Sequence, residues 1–189
     1  ALATKGKDIG ITIEIASGFR SFERQLRIWN NKFIGKTAIK NIYGENLAID
    51  ELSPLEIIES ILLFSALPGA SRHHWGCDID IYAPNLLPQN QQLQLEPWEF
   101  EQAGPMAELS EFLTKEAHLL GFYFPYDCYR GGIAHEPWHL SYKPLAIKYQ
   151  QAFDIRILNQ CLNEVDIKGK NTISNNLANI VKQFIENIN

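Results

Sequence analysis

No run in this 189-residue sequence is apolar for long enough to span a membrane; its best stretch, Ile57 to Leu67, is interrupted by Glu59, Ser60 and Ser65 and reads as a buried helix. Positive charge is also scarce. With 17 basic and 22 acidic residues the net charge is -5, which offers no general attraction for nucleic acid. Cysteine is limited to Cys77, Cys128 and Cys161, too scattered for a C-x-x-C metal knuckle and too few for a disulfide framework. Buried free thiols are the default, with a Cys77–Cys128 bridge open only to an oxidising compartment. A cysteine nucleophile would need an activating base of its own. There is no fixed-period repeat, low-complexity tract, phosphate-cradling glycine motif or basic-aromatic patch. The sequence starts at Ala1 without a charged, hydrophobic leader, so any export signal is expected to have been removed or never to have been present.

What remains suits one domain, residues 1–189, with 46% hydrophobic residues available for its core. Ile11 to Ile15 alternates as a strand does, while Phe22, Leu26, Trp29 and Phe33 recur at helical spacing with Ser21 placed to cap the helix. Ser53-Pro54-Leu55-Glu56 combines a capping box with proline at the first helical position, and opens a helix expected to end near Ala66. A further helix is expected from Pro105 to Leu120, stopped by Gly121. Between them Pro84 to Gly104 reads as a long surface loop in which Trp98 is expected to anchor the loop rather than to stack on a sugar or peptide. The helical C-terminal portion, about 144–189, divides into helices over Pro144 to Asn163 and from an N-cap at Ser174 to Asn189. The fold class is therefore α+β, a sheet with flanking helices.

Chemistry concentrates in two stretches. Ser71 to Asp80 and His135 to His139 contain four of the five histidines, and these supply the nitrogen and oxygen donors of a catalytic zinc site. Such a site takes three protein ligands, leaves a position for water, and needs a carboxylate to accept the water's proton. His73, Asp80 and His139 can be the ligands and Glu136 the base. From Cys77 to Tyr82 the alternation predicts a strand with Cys77, Ile79 and Ile81 on one face and Asp78, Asp80 and Tyr82 on the other. Gly76 can take the backbone angles that fold His73 back towards Asp80. Asp78, on the face of Asp80, either orients a ligating histidine or is solvated.

His135-Glu136-Pro137-Trp138-His139 matches H-E-x-x-H literally, but that motif needs a helix, and Pro137 would cost its interior roughly 3 kcal/mol. An irregular turn leading into a strand that carries His139 is expected instead, with a kink near Pro137 that keeps Glu136 on the histidine's side. His135 and Trp138 then become neighbours of the site. Arg20 falls at a strand-to-helix junction, where its guanidinium and exposed backbone N–H groups make a seat for a carboxylate or an oxyanion.

The order S-x-H-x-x-G-x-x-x-D at Ser71 to Asp80, then E-x-W-H at Glu136 to His139, resembles the zinc D-alanyl-D-alanine carboxypeptidases of the VanY and VanX type, the M15 metallopeptidases. Ser17-Gly18-Phe19-Arg20-Ser21 is similar to that family's S-G-[YF]-R-S segment. The resemblance implies an antiparallel sheet in a hedgehog/DD-peptidase-like domain, Zn2+ on His73, Asp80 and His139, Glu136 as general base, and Arg20 as the residue that binds and polarises the substrate; with Ser71 it can also grip the substrate's terminal carboxylate. It implies hydrolysis of the C-terminal D-Ala-D-Ala bond of peptidoglycan stem peptides in the bacterial envelope, in the periplasm where there is an outer membrane. The rivals are an L,D-carboxypeptidase or endopeptidase on the same scaffold, and a non-catalytic zinc-containing cell-wall binding module. Asp78 departs from the small apolar residue many relatives carry there.

Overall fold

A four-stranded antiparallel sheet, ordered β1-β2-β4-β3, organises the computed structural model, which describes residues 1–189. The strands are β1 (Glu14–Ser17), β2 (Asp78–Tyr82), β3 (Phe122–Tyr123) and β4 (His139–Tyr142). Pairing of the two central strands sets Asp78 opposite Ser141, Ile79 opposite Leu140 and Asp80 opposite His139. Residues paired in this way share a face, so Asp78, Asp80, His139 and Ser141 point to one side and Ile79, Ile81 and Leu140 to the other. The apolar side is covered by α5 (Ala107–Glu116), whose Leu109, Phe112 and Leu113 join Ile81, Leu140, Met106 and Trp138 in one core. Each such side chain, fully buried, contributes about 2 kcal/mol relative to exposure, which is what holds the polar side in a single register.

The first strand begins at Glu14 rather than Ile11, and is preceded by a helix that the sequence reading did not foresee, α1 (Leu2–Asp8). β1 carries a bulge. Ile15 pairs with Ile81 but Ser17 with Asp80, so Ala16 is the extra residue and Ser17 is re-aimed at the polar face beside the site.

The polar face is closed over by α2 (Phe22–Phe33) and α3 (Pro54–Leu62), which pack with α7 (Ile155–Asn163) and α8 (Lys170–Ile180) around Trp29, Ile58, Ile61, Leu158 and Ile173. Ser21 caps α2 by accepting from Arg24 N–H at 3.2 Å, and Ser53 with Glu56 forms the expected capping box on α3. That helix ends at Leu62, short of Ala66. The carbonyls beyond its end find partners elsewhere: Leu63 accepts from Ala134 N–H and Ala66 from the Gln25 side chain.

Three other expectations are revised. The helix expected over Pro144 to Asn163 is two, α6 (Lys143–Gln151) and α7, because Asp154 accepts from Arg156 N–H at 2.8 Å and starts a new helix. α8 opens at Lys170 instead of Ser174, behind Gly169 in the left-handed region, and runs on into a π-helical turn, Val181–Ile185. In the long loop a short helix, α4 (Pro97–Phe100), is held by the buried Glu99 carboxylate, which accepts from the N–H groups of Gln94 and Glu96. Trp98 is 45% exposed and does not anchor it. The cysteines are all free.

Candidate active site

Three donors converge on the polar face of the sheet. His73, Asp80 and His139 are all buried, and their nearest ligand atoms lie within 4.8 Å of one another. His73 Nε2 is 3.2 Å from Asp80 Oδ2, and His139 Nδ1 is 3.1 Å from Asp80 Oδ1. A tetrahedral ion with bonds of about 2.0 Å has ligand-to-ligand edges of about 3.3 Å, and the two histidine–aspartate separations, each to a different oxygen of Asp80, are close to that. His73 reaches the sheet from a 3-10 turn, Arg72–Trp75, closed by Gly76 in the left-handed conformation that the sequence reading assigned to it.

The outer nitrogens of both rings are tied down. His73 Nδ1–H donates to the Gly18 carbonyl at 3.0 Å, and His139 Nε2–H donates to Asp78 Oδ1 at 2.9 Å. With those protons placed, Nε2 of His73 and Nδ1 of His139 turn lone pairs towards Asp80. Asp80 Oδ1 is buried and has no hydrogen bond, so lone pairs on it and on His139 Nδ1 face each other without a donor between them. Only a proton or a metal cation relieves that opposition. The residues therefore fit a divalent ion. In the metal-free protein, where a proton takes the place of the ion, burial would raise the Asp80 pKa, but the hydrogen bonds and charges of protonated His139 and His73 outweigh it and hold the carboxylate ionised far below its usual range. Burial likewise opposes charge on His139, and the bonds to Asp78, Asp80 and Glu136 override it and raise the pKa in the metal-free protein.

Asp78 is not solvated. It is completely buried and accepts four bonds: Arg72 Nε–H at 2.8 Å and His139 Nε2–H on Oδ1, Ser141 Oγ–H at 3.0 Å and Cys77 Sγ–H at 3.3 Å on Oδ2. Arg72 also donates to Tyr123 Oη and Ser141 Oγ, both at 2.7 Å, and its guanidinium stacks 4.6 Å from the Trp75 ring. Burial would raise the Asp78 pKa, yet the His139 hydrogen bond and the Arg72 charge leave it lowered. Arg72 was not picked out from the sequence. An arginine beside the aspartate-histidine pattern was the available signal, but its partners Tyr123 and Ser141 are far away in the chain.

Glu136 is brought in by the expected kink. His139 N–H donates to the Glu136 carbonyl at 3.1 Å, closing a turn with Pro137 at its second position, where proline's fixed φ is favourable. The Glu136 carboxylate thereby comes within 3.4 Å of His139 Nδ1, and no helix carries the H-E-x-x-H stretch. Tyr126, another residue not foreseen, stands edge-on to His139 with ring centroids 4.9 Å apart and accepts Glu136 N–H on its carbonyl.

A cavity of about 350 Å³ lies over this centre, and Arg20, Ser71, His73, Asp80, Glu136 and His139 all line it. Arg20 is held by Gln25 Oε1, which accepts from Nη1 at 2.9 Å, and by Ser17 Oγ, which accepts from Nη2 at 3.0 Å. Its Nε–H is buried without a partner. Trp138 lines the cavity and packs on Phe100 in the core beneath it. His135 does not belong here: it lines a different cavity, with His118, Asp127 and Pro137, because the turn at Pro137 sends it to the other side.

Residues 1–145 match the family described as VanY: D-alanyl-D-alanine carboxypeptidase. An uncharacterized protein of Haemophilus influenzae is 41% identical over 121 residues, 63% of this chain and 92% of that protein. A second from the same organism is 37% identical over 67 residues, 35% of this chain and 46% of that protein. The fold is shared with the vancomycin resistance D,D-pentapeptidase VanY from a VanB-type cassette, a mutant in complex with Zn(II), at 22% identity and a TM-score of 0.51, covering 78% of this chain and 70% of that one. It is shared too with VanYB in complex with D-alanine-D-alanine, at 22% identity and a TM-score of 0.53, covering 86% and 76%. Every strand of the sheet and every side chain of the candidate centre lies inside the matched segment. The chain belongs to the VanY family of D-alanyl-D-alanine carboxypeptidases, peptidases of the M15 zinc type.

Proposed function

We propose that this protein is a zinc-dependent carboxypeptidase that releases the C-terminal D-alanine of peptidoglycan stem peptides, and that it acts in the bacterial envelope, in the periplasm where an outer membrane is present. One observation carries the reading. Two histidine nitrogens left free to ligate by the bonds of their outer nitrogens, and an orphaned oxygen of Asp80, gather beside the Glu136 carboxylate. A closed structural site would have no use for a carboxylate at that position.

A zinc ion on His73, Asp80 and His139 would lower the pKa of water towards about 7 and polarise the scissile carbonyl. The remaining steps belong to the chain. Glu136 accepts the proton of the attacking water and hands it to the leaving amine nitrogen, so its carboxylate serves first as base and then as acid. Arg20 presents unused N–H groups and a fixed charge to the developing oxyanion, and Gln25 and Ser17 hold it there so that little reorganisation accompanies the reaction. Arg20 and Ser71 receive the terminal carboxylate, which makes the cleft select a chain end. Asp78 keeps the His139 tautomer fixed, and Arg72 keeps Asp78 ionised.

The test is incubation of the metal-loaded protein with stem tripeptide, tetrapeptide and pentapeptide, with products identified by mass. Loss of one alanine from the pentapeptide is expected. Cleavage of the tetrapeptide alone would replace the D,D assignment by an L,D one, and an internal cut would make it an endopeptidase. Glu136→Gln is expected to keep its zinc and lose at least about 100-fold in kcat. Unchanged turnover in that variant would overturn the role of Glu136.

A further inference from the structure

Four cationic side chains line the cavity: Arg20, Lys32, Arg72 and Lys40. Three are accounted for. Arg72 is neutralised by Asp78 at 2.8 Å, Lys40 is paired with Glu96, and Arg20 faces the reaction centre in the grip of two neutral acceptors. Lys32 is different. It stands in the last turn of α2, half-buried, and its ammonium makes neither an ion pair nor a side-chain hydrogen bond. Burial accordingly lowers its pKa, Glu136 raises it only from a distance, and Arg20 and Lys40 lower it further.

The carboxylates of the cavity are already committed. Glu96 holds Lys40, Asp80 would be matched by a metal ion, and Glu136 must stay free to take a proton. The wall therefore carries one more cation than its own anions satisfy, in addition to the arginine that meets the chain terminus. An ammonium that has shed part of its hydration without gaining an anion is poised to bind one. On the peptidase reading above, on which this inference rests, the released residue is alanine, whose side chain carries no charge. A second anion must then lie on the other side of the scissile bond.

We propose that Lys32 is a specificity-determining residue that receives a second carboxylate of the substrate, borne upstream of the bond that is cut. Two positions of a stem peptide can offer that chemistry: the side-chain carboxylate of a diaminodicarboxylic acid at the third residue, or the free carboxylate of the glutamate at the second.

The experiment measures kcat/KM of the zinc-loaded protein for three pentapeptides. One carries diaminopimelate and free glutamate, one replaces diaminopimelate by lysine, and one has the glutamate carboxylate amidated. Removal of one of the two carboxylates is expected to cost wild type about tenfold, mostly in KM. Lys32→Met should cleave the peptide lacking that carboxylate as wild type does and show no preference between it and its parent, and Lys32→Arg should restore the preference. Equal rates for all three peptides in wild type, or an undiminished preference in Lys32→Met, would overturn the assignment. If wild type cleaves none of them, the peptidase reading fails and equilibrium binding of the same peptides decides on Lys32. Carboxylate-dependent binding lost in Lys32→Met upholds the subsite, and equal binding by both proteins removes it.

Discussion

Replacing Asp78 by asparagine tests whether the buried ion pair beneath His139 serves the metal centre or only the fold. All four groups around the carboxylate are donors, so the new amide must turn its NH2 towards two of them. Facing Arg72 Nε–H and His139 Nε2–H would create two donor-donor oppositions, whereas Ser141 and Cys77 can rotate and accept. The second orientation wins, and the oxygen stays with His139 and Arg72. Hydrogen bonds are then largely kept and the loss is charge: Arg72, 4% exposed, remains buried without its counterion. Breaking a buried pair from one side costs about 3–5 kcal/mol, and because Arg72 keeps Tyr123, Ser141 and the Trp75 face the lower end applies, about 3 kcal/mol. A neutral acceptor also polarises His139 less than a carboxylate does, which should weaken metal binding by about 10- to 100-fold.

Urea unfolding of the metal-free protein reads the first quantity, and competition with a chromogenic zinc chelator reads the second. The Arg72→Met/Asp78→Asn double variant separates them, because it removes the stranded cation and should regain most of the stability without regaining the metal affinity. The reasoning is refuted if Asp78→Asn binds zinc within twofold of wild type, or if the double variant recovers affinity together with stability.

The contrast between Asp80 and Arg72 shows what the sequence could and could not reveal. Asp80, His73 and Glu136 were legible because local rules placed them. A two-residue alternation put Asp80 on the face opposite Ile79 and Ile81, a glycine allowed the fold-back that brings His73 near, and a proline both ruled out a helix and broke the regular strand that would have put Glu136 on the face opposite His139. Cap chemistry was equally local, so Ser21 and Ser53 were read correctly. The centre's support was not legible in this way. Gly18 meets His73 across 55 residues and Ser141 meets Asp78 across 63, and no periodicity encodes such distances. Lys32 reaches the cavity only once α2 has packed over the sheet, and Tyr126 only through the connection between β3 and β4. Where the reading of helices failed, a local signal had been outweighed by another: Asp154, ordinary within a helical run, became a cap and divided the run at Ala152.

Thiol chemistry offers a direct check on the inner face of the site. Burial and the neighbouring Asp78 charge push the Cys77 thiol up to about 12, and the residue is only 6% exposed, so at pH 8 a maleimide should label exposed Cys128 quickly and leave Cys77 unlabelled until unfolding. Mass mapping reads the order, and early labelling of Cys77 would show that its surroundings open in the native state. Gly169 tests the packing of α8 on α2, with Gly10 as its control. Both have positive φ, +77 and +84, so alanine should cost each about 1 kcal/mol in backbone strain. At Gly10 nothing lies within 4 Å of the added carbon, but at Gly169 it would sit 2.5 Å from the Phe33 ring. Phe33 packs against the helical core and is only partly buried, so its ring can yield in part, which places the overpacking penalty at about 1–2 kcal/mol. Gly169→Ala should therefore unfold at lower urea than Gly10→Ala, by about 1–2 kcal/mol. Equal stabilities would mean that Phe33 moves aside freely and that the α2–α8 contact does not constrain the end of the helix that carries Lys32.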